Sequence, residues 1–315
     1  MASSSLQRET AEQSAGGEVR QEKPLHLISV AHRKTLPVLR YGHAAILDLI
    51  PAASYTVLVP DDQVSEFRGI LDSRFSVKSE EEYVRDLGPM LRQKYTGAPE
   101  RFGWYLQQFI KLSAVERHTQ SGNVVIWDAD TIPLRRIQFF NSRGFPAYFV
   151  GSESHAPYFE TIRRATGLQK KREFSFISQC FPVTTHHAAA FFGELQGQSS
   201  QSWWAPLIDS IDFSLQSGFS EYETLGTFIA DRFPGEFSLQ EDEWLRNGWK
   251  AFSGPKEAST IFSRWLWAGV FAHCSFELHQ APTGGYPLKR RLFNFARFQL
   301  RRFLPKTMAN RLAAL

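Results

Sequence analysis

The chain has 315 residues, 43% hydrophobic and 22% charged, which is the make-up of a folded α/β-sized globular protein and not of a disordered one. Net charge is +4, yet the last 27 residues, from Lys289, hold eight Lys or Arg and no acid; the remainder therefore sums to about −4, which argues against a nucleic-acid-binding body. No uncharged apolar run reaches the ~18 residues of a membrane span, the N-terminus lacks the apolar core of a secretory signal, and Cys180 and Cys274 are far apart. The expectation is a cytoplasmic protein with reduced thiols.

In chain order, residues 1–23 are polar and Ser/Glu/Gln-rich, and read as a disordered tail. Leu25–Val30 predicts a first strand, the polar loop 31–34 follows, and Leu36, Leu39, Ile46 and Leu47 mark a helix from Thr35 to Leu49. Tyr55–Val59 predicts a second strand, ended by Pro60-Asp61-Asp62. Strand, loop, helix and strand in this order imply a parallel sheet. A helix begins near Gly103, with Gln107 and Lys111 four apart on one face. Asn123–Trp127 is a short, almost wholly apolar strand of the kind covered on both faces. Beyond it, short helices and loops run to about Gly285. Residues 288–304 form an amphipathic pattern, with Leu288, Leu292, Phe295, Ala296, Leu300 and Phe303 on one side and five arginines on the other. The chain divides into a tail (1–23), an α/β domain (24–286) and a basic amphipathic extension (287–315).

The strongest chemical signal is Asp128 and Asp130. Two carboxylates one residue apart, where a buried strand ends, face the crevice in which open α/β sheets bind ligands. Hard oxygens there suit Mg²⁺ or Mn²⁺, which would offset the charge of a diphosphate.

Three segments carry a resemblance: Trp127-Asp128-Ala129-Asp130-Thr131, the upstream Gly103–Lys111, and the downstream Ser220-Glu221-Tyr222-Glu223-Thr224-Leu225-Gly226. Together they resemble a little-characterised bacterial glycosyltransferase-like family, over about Leu25 to Gly285. The resemblance implies an α/β, GT-A-like nucleotide-diphospho-sugar transferase fold with a mostly parallel central sheet flanked by helices. It also implies a nucleotide-sugar donor and a divalent metal, with Asp130 as direct ligand and Asp128 serving the ribose or a metal-bound water. Acceptors expected of such an enzyme are carbohydrates or glycolipids of the cell surface.

Other candidates surround this pair. Ser220 and Glu223 fit a capping box, which leaves Glu221 in the first helical turn as the candidate general base, with Asp209, Asp212 and Glu277 as rivals. Gln107 and Lys111 can meet a sugar or phosphate, or line a solvated helix face; His32 and Arg33 follow the first strand at the usual edge of a nucleotide pocket. His273 and His279 lie where a third metal ligand is sometimes found, without ligand spacing, and His186-His187 carries no more weight. Trp203-Trp204, Tyr158-Phe159 and Ser178-Gln179 are either acceptor-pocket or core residues. The basic extension either lies on an anionic membrane, at the inner face of the plasma membrane, or packs its Phe/Leu face on the domain with the arginines solvated, or binds a partner.

Two rival readings remain. Asp128-Ala129-Asp130-Thr131 resembles the first motif of a haloacid-dehalogenase-type phosphatase, with Asp128 as nucleophile, but that motif normally opens its domain and the later Gly-Asp-x-x-x-Asp pair is absent. A non-catalytic carbohydrate- or membrane-binding scaffold is the other, against which the intact acid pair argues.

Overall fold

A computed structural model describes residues 23–197, 202–241, 243–281 and 287–301. The expected tail up to residue 22 and the end of the basic extension lie outside the described residues.

The main sheet is built from β1 (Leu25–Val30), β2 (Ser54–Val59), β3 (Phe75–Ser79), β4 (Asn123–Trp127) and β7 (Cys180–Val183) in the order β3-β2-β1-β4-β7. The first four are parallel, and β7 runs antiparallel beside β4. Pro182 is tolerated in β7 because this is an edge strand, where a missing N–H breaks no second ladder. Between β1 and β2 runs α1 (Leu36–Leu49); α2 (Val64–Ile70) precedes β3; α3 (Glu81–Val84), α4 (Leu87–Lys94) and α5 (Phe102–His118) lead to β4.

Side chains alternate along each strand, and this period of two divides the core. Ile28, Val30, Leu58, Val124, Ile126, Phe181 and Val183 face one side. There they meet α5, α6 (Ala156–Thr166), α7 (Thr185–Gln196), α8 (Trp204–Ser210) and α9 (Glu221–Arg232). Leu27, Val57, Val59, Val125 and Trp127 face the other side, against Leu36, Leu39 and Ile46 of α1 and Phe67 of α2. The sheet is thus flanked by helices on both faces, as the strand–helix–strand order predicts.

A second, three-stranded sheet joins β5 (Thr131–Pro133), β10 (Phe271–Ser275) and β9 (Glu243–Leu245) in the order β5-β10-β9, and β6 (Ala147–Tyr148) pairs with β8 (Ser238–Leu239). A third apolar cluster binds this sheet to Val38 and Ala45 on the back of α1, and to α10 (Pro255–Ala258), α11 (Ile261–Trp267) and α12 (Leu288–Arg301).

α12 corrects the helical-wheel expectation. The side that docks carries Arg291, Asn294, Phe295 and Phe298: Phe298 packs on Trp267 and Phe271, Asn294 donates to the Lys250 carbonyl at 2.8 Å, and Arg291 pairs with Glu257. Leu288, Leu292 and Leu300, on the apolar side of the wheel, are exposed. The polar contacts of Arg291 and Asn294 select a face rotated from the most apolar one. Among the described residues no helix is long and apolar enough to cross a membrane, and both cysteines are buried and free.

Candidate active site

The strand order reverses direction between β1 and β4: from β1 the chain steps to β2 on one side, and β4 lies on the other. Such a switch point opens a crevice beyond the carboxyl ends of the two strands. His32 and Arg33 follow β1 there, and Asp128 and Asp130 follow β4.

The Asp128–Thr131 turn is held on all sides. The Asp128 amide donates to the Gln179 carbonyl at 2.9 Å, and the Thr131 amide donates to the Asp128 carbonyl at 3.0 Å. Phe276, just past β10, donates its amide to the Asp130 carbonyl at 2.8 Å, and the Trp127 indole N–H caps the Thr131 carbonyl at 3.0 Å. Gln179 adopts φ 66°, a left-handed backbone uncommon outside glycine, as it crosses the turn.

Around Asp128 lies a buried charge network. Lys111 of α5 places its ammonium 2.6 Å from Asp128 Oδ1 and 2.7 Å from Glu221 Oε1, and Tyr222 donates its hydroxyl to the same Asp128 oxygen at 2.7 Å. Side-chain exposure is 5% for Lys111 and 2% for Glu221, against 17% for Asp128. Burial disfavours a charged Lys111, but Asp128 and Glu221 outweigh it and hold the ammonium above the usual lysine range. Burial raises the Glu221 carboxyl, and Lys111 opposes that rise. Gln108, one turn earlier on α5, accepts from the Glu221 amide at 3.3 Å and so ties the start of α9 to the same helix.

Asp130 stands among like charges. Burial, followed by the neighbouring Asp128 and Glu277 carboxylates, raises its carboxyl to about 7. Glu277 is in turn met by Gln179 Nε2 at 3.2 Å, Gln280 Nε2 at 2.7 Å, Arg246 at 3.4 Å and His279 at 3.1 Å.

Several sequence expectations change here. Lys111 does not lie on a solvated face; it is the hub of the network, whereas Gln107 is half-buried and donates to the Val30 carbonyl at 3.4 Å. Glu221 is buried, and its Oε1 accepts from the Lys111 ammonium. The capping box is half formed: Ser220 accepts from the Glu223 amide, but the Glu223 carboxylate leaves to Ser175, to the Phe176 amide at 2.9 Å and to Lys170 at 2.5 Å. His32 is exposed, and Arg33 is engaged by Asp62 at 3.1 Å and Glu66 at 2.7 Å. Of the rival acids, Glu277 joins the site, while Asp209 pairs with Lys94 and Asp212 caps Ser214. His273 is fully buried and bonded through Nε2 to the Ser178 carbonyl, with burial lowering its pKa to about 4. It stacks on Trp244 and is a core residue. His187 is buried against Glu236, and Trp203 and Tyr158 are core aromatics. Tyr222 and Arg246 were missed. Tyr222 sits beside Glu221 in the sequence, but nothing there reveals that its hydroxyl reaches a carboxylate 94 positions away.

The donor set can be tested against a divalent cation. Asp128, Asp130 and Glu277 supply hard oxygens, and Lys111 already neutralises one Asp128 oxygen. Among the described residues no group of three His, Cys, Asp or Glu is arranged to enclose a metal. By its oxygen chemistry the Asp128–Asp130 pair would suit a cation held by one or two carboxylates and shared with a diphosphate, the mode that Mg²⁺ favours over an all-protein cage.

No family model matches this sequence, and no curated protein matches it. Solved structures that match include mouse xyloside xylosyltransferase 1 in its apo form, 13% identical, with a TM-score of 0.45 over 82% of this chain and 99% of that chain. The galactosyltransferase LgtC in complex with donor and acceptor sugar analogues also matches, 10% identical, with a TM-score of 0.41 over 87% and 94%. An active-site mutant of LgtC gives 8%, 0.43, 90% and 98%. TM-scores below 0.5 leave the site's own geometry as the ground for function.

Proposed function

We propose that the chain is a metal-dependent glycosyltransferase of GT-A-like fold, moving a sugar from a nucleotide-diphosphate donor to a hydroxyl of a cell-surface polysaccharide or glycolipid. The observation that carries this reading is the pinned Asp128–Asp130 turn at the switch-point crevice, where carboxylates converge beside one buried lysine. The three sequence motifs that resemble a glycosyltransferase-like family meet here: α5 supplies Lys111, β4 leads into the acid pair, and α9 supplies Glu221 and Tyr222.

Asp128 and Asp130 would hold Mn²⁺ or Mg²⁺, which supplies charge neutralisation for a departing diphosphate. Lys111, fixed between Asp128 and Glu221, sets the orientation of the Asp128 carboxylate; Glu221 acts through Lys111 as a positioning residue. The acceptor oxygen bonds to the anomeric carbon as the carbon–diphosphate bond breaks, its electron pair leaving with the nucleoside diphosphate. The hydroxyl proton passes to Glu277, the more exposed of the two candidate carboxylates. His32 and Gln107 border the donor side. A nucleophilic Asp128, as a phosphatase needs, is disfavoured, since Lys111 and Tyr222 both occupy its Oδ1. With Mn²⁺ present, one of a panel of UDP- and GDP-sugars is expected to release nucleoside diphosphate, and a chelator to stop it. Phosphate release from monoesters with no reaction of any nucleotide-sugar would sink the proposal.

The same protein is proposed to act at an anionic membrane surface. α11 abuts α12 through Gln299 and the Trp267–Phe295 contact; α11 exposes Ile261 (78%), Phe262 (68%) and Trp265 (74%), and α12 exposes Leu288, Leu292 and Phe293. Aromatic and aliphatic groups next to Lys289 and the arginines of α12 match an interface of apolar chains under anionic headgroups. Phosphatidylglycerol vesicles are expected to sediment the wild type and to release it at high salt, and Phe262→Asp with Trp265→Asp should abolish the binding. Equal sedimentation of the double variant would contradict the membrane assignment.

A further inference from the structure

A cavity of about 320 Å³ opens between the turn joining α3 to α4, the end of α5 and the start of α8. It is separate from the acid pair. Lys111 turns to Asp128, whereas Ser113, two residues on and roughly 200° around the same helix, lines this cavity.

Several groups around it are uncommitted yet within reach. Ser113 is only 7% exposed and makes no hydrogen bond among the described residues, but its Oγ is open to the cavity. Asp86 occupies the N-cap position of α4, where an aspartate ordinarily accepts from the first helical amides, and its carboxylate makes no such bond. Glu116 accepts from the Trp203 indole through Oε2 at 2.8 Å, which leaves Oε1 unbonded. Trp204 packs against the core, stays half-buried, and has no partner for its indole N–H among the described residues. Arg85 and Gln120 are exposed at the rim. Arg117, by contrast, is already held by the Glu82 carbonyl at 2.9 Å and lies over the Tyr83 ring.

This set of groups selects by charge and by hydrogen bonding. A phosphate would meet the Asp86 and Glu116 carboxylates, and a metal ion would meet the Arg85 and Arg117 guanidinium groups. A neutral molecule rich in hydroxyls meets neither penalty, because each hydroxyl both donates and accepts. Its hydroxyls donate to Asp86 and Glu116 and accept from Arg85 and the Trp204 indole, while Ser113 and Gln120 serve either way. The Trp204 ring adds apolar surface for the C–H side of a sugar.

From this arrangement we infer that the cavity binds a neutral oligosaccharide, on the side of α5 turned away from the acid pair. The inference goes beyond the transferase reading and does not depend on it.

The test is calorimetric titration of the full chain with maltotriose, cellotriose and triacetylchitotriose. At least one of the three is expected to bind the wild type. Trp204→Ala is expected to weaken it about tenfold, the scale of a lost aromatic platform, and Ser113→Ala about threefold or more, the scale of one neutral hydrogen bond. Ser113 has no hydrogen bond to lose in the free protein, so its variant keeps the fold even if Trp204→Ala does not. Asp130→Ala is expected to bind the same sugar as tightly as the wild type. Failure of all three sugars, Ser113→Ala binding like the wild type, or loss of binding in Asp130→Ala, which would place the sugar in the crevice, overturns the inference. Mn²⁺-dependent nucleotide binding, measured on the same wild-type sample, reports on the transferase reading separately.

Discussion

Lys111→Met is expected to lower the melting temperature by roughly 10 °C. The substitution keeps most of the side chain's length, unbranched, and removes its charge, so Glu221 and Asp128 lose the cation at 2.7 and 2.6 Å that compensates their burial. Stranding one member of a buried ion pair costs about 3–5 kcal/mol, and in a domain of this size each kcal/mol moves Tm by about 2–4 °C. Combining Lys111→Met with Glu221→Leu should recover part of the loss, because no wholly buried lone charge remains. Thermal denaturation of the two variants checks this. A single variant as stable as wild type would mean that the network is not a structural hub, and a double variant worse than the sum would mean that Glu221 has another partner.

Asp130→Ala is expected to leave the melting temperature near that of the wild type and to reduce transfer by at least about a thousandfold, the scale of several kcal/mol of charge stabilisation lost at a leaving diphosphate. The carboxylate makes no ion pair with Lys111; among the described residues its side-chain hydrogen bond comes from Thr131 Oγ1, at 3.4 Å. The turn itself is held by backbone bonds to Gln179, Phe276 and Thr131, which an alanine preserves. Removing Asp130 also relieves the repulsion it shares with Asp128 and Glu277, so a stability loss comparable to that of Lys111→Met would contradict the division of labour between the two aspartates. Turnover assays on a folded variant separate the cases.

Much of the sheet centre was legible in the sequence, because its strands are apolar runs with clear ends. β1 and β4 match their predicted limits, and β2 starts one residue earlier. β3 was missed: Phe75 and Val77 point inward, while Ser76 and Lys78 dilute the signal of a five-residue edge strand. β7 was hidden by Pro182, which its edge position tolerates, and β6 and β8 are only two residues long. The acid pair was legible for a local reason, since an apolar strand runs directly into it. The network around it was not. Lys111 and Glu221 are 110 positions apart, and their meeting depends on how α5 and α9 pack on one sheet face. Spacing placed Gln107 and Lys111 on one helical side, but it gave no sign of which side would be buried. On α12 the wheel separated an apolar from an arginine side but not the residues that dock: Arg291 and Asn294 find specific partners on the domain, while Leu288, Leu292 and Leu300 stay outside.

The central claim is that Asp128 and Asp130 form a cation-assisted donor site, and the most direct measurement is calorimetric titration of UDP and GDP, each with and without Mn²⁺, into the wild type and Asp130→Ala. The expected result is that one nucleotide binds only with Mn²⁺ and that the variant binds neither. Failure of both nucleotides to bind the wild type under any condition, or binding that ignores both Mn²⁺ and the loss of Asp130, would contradict it.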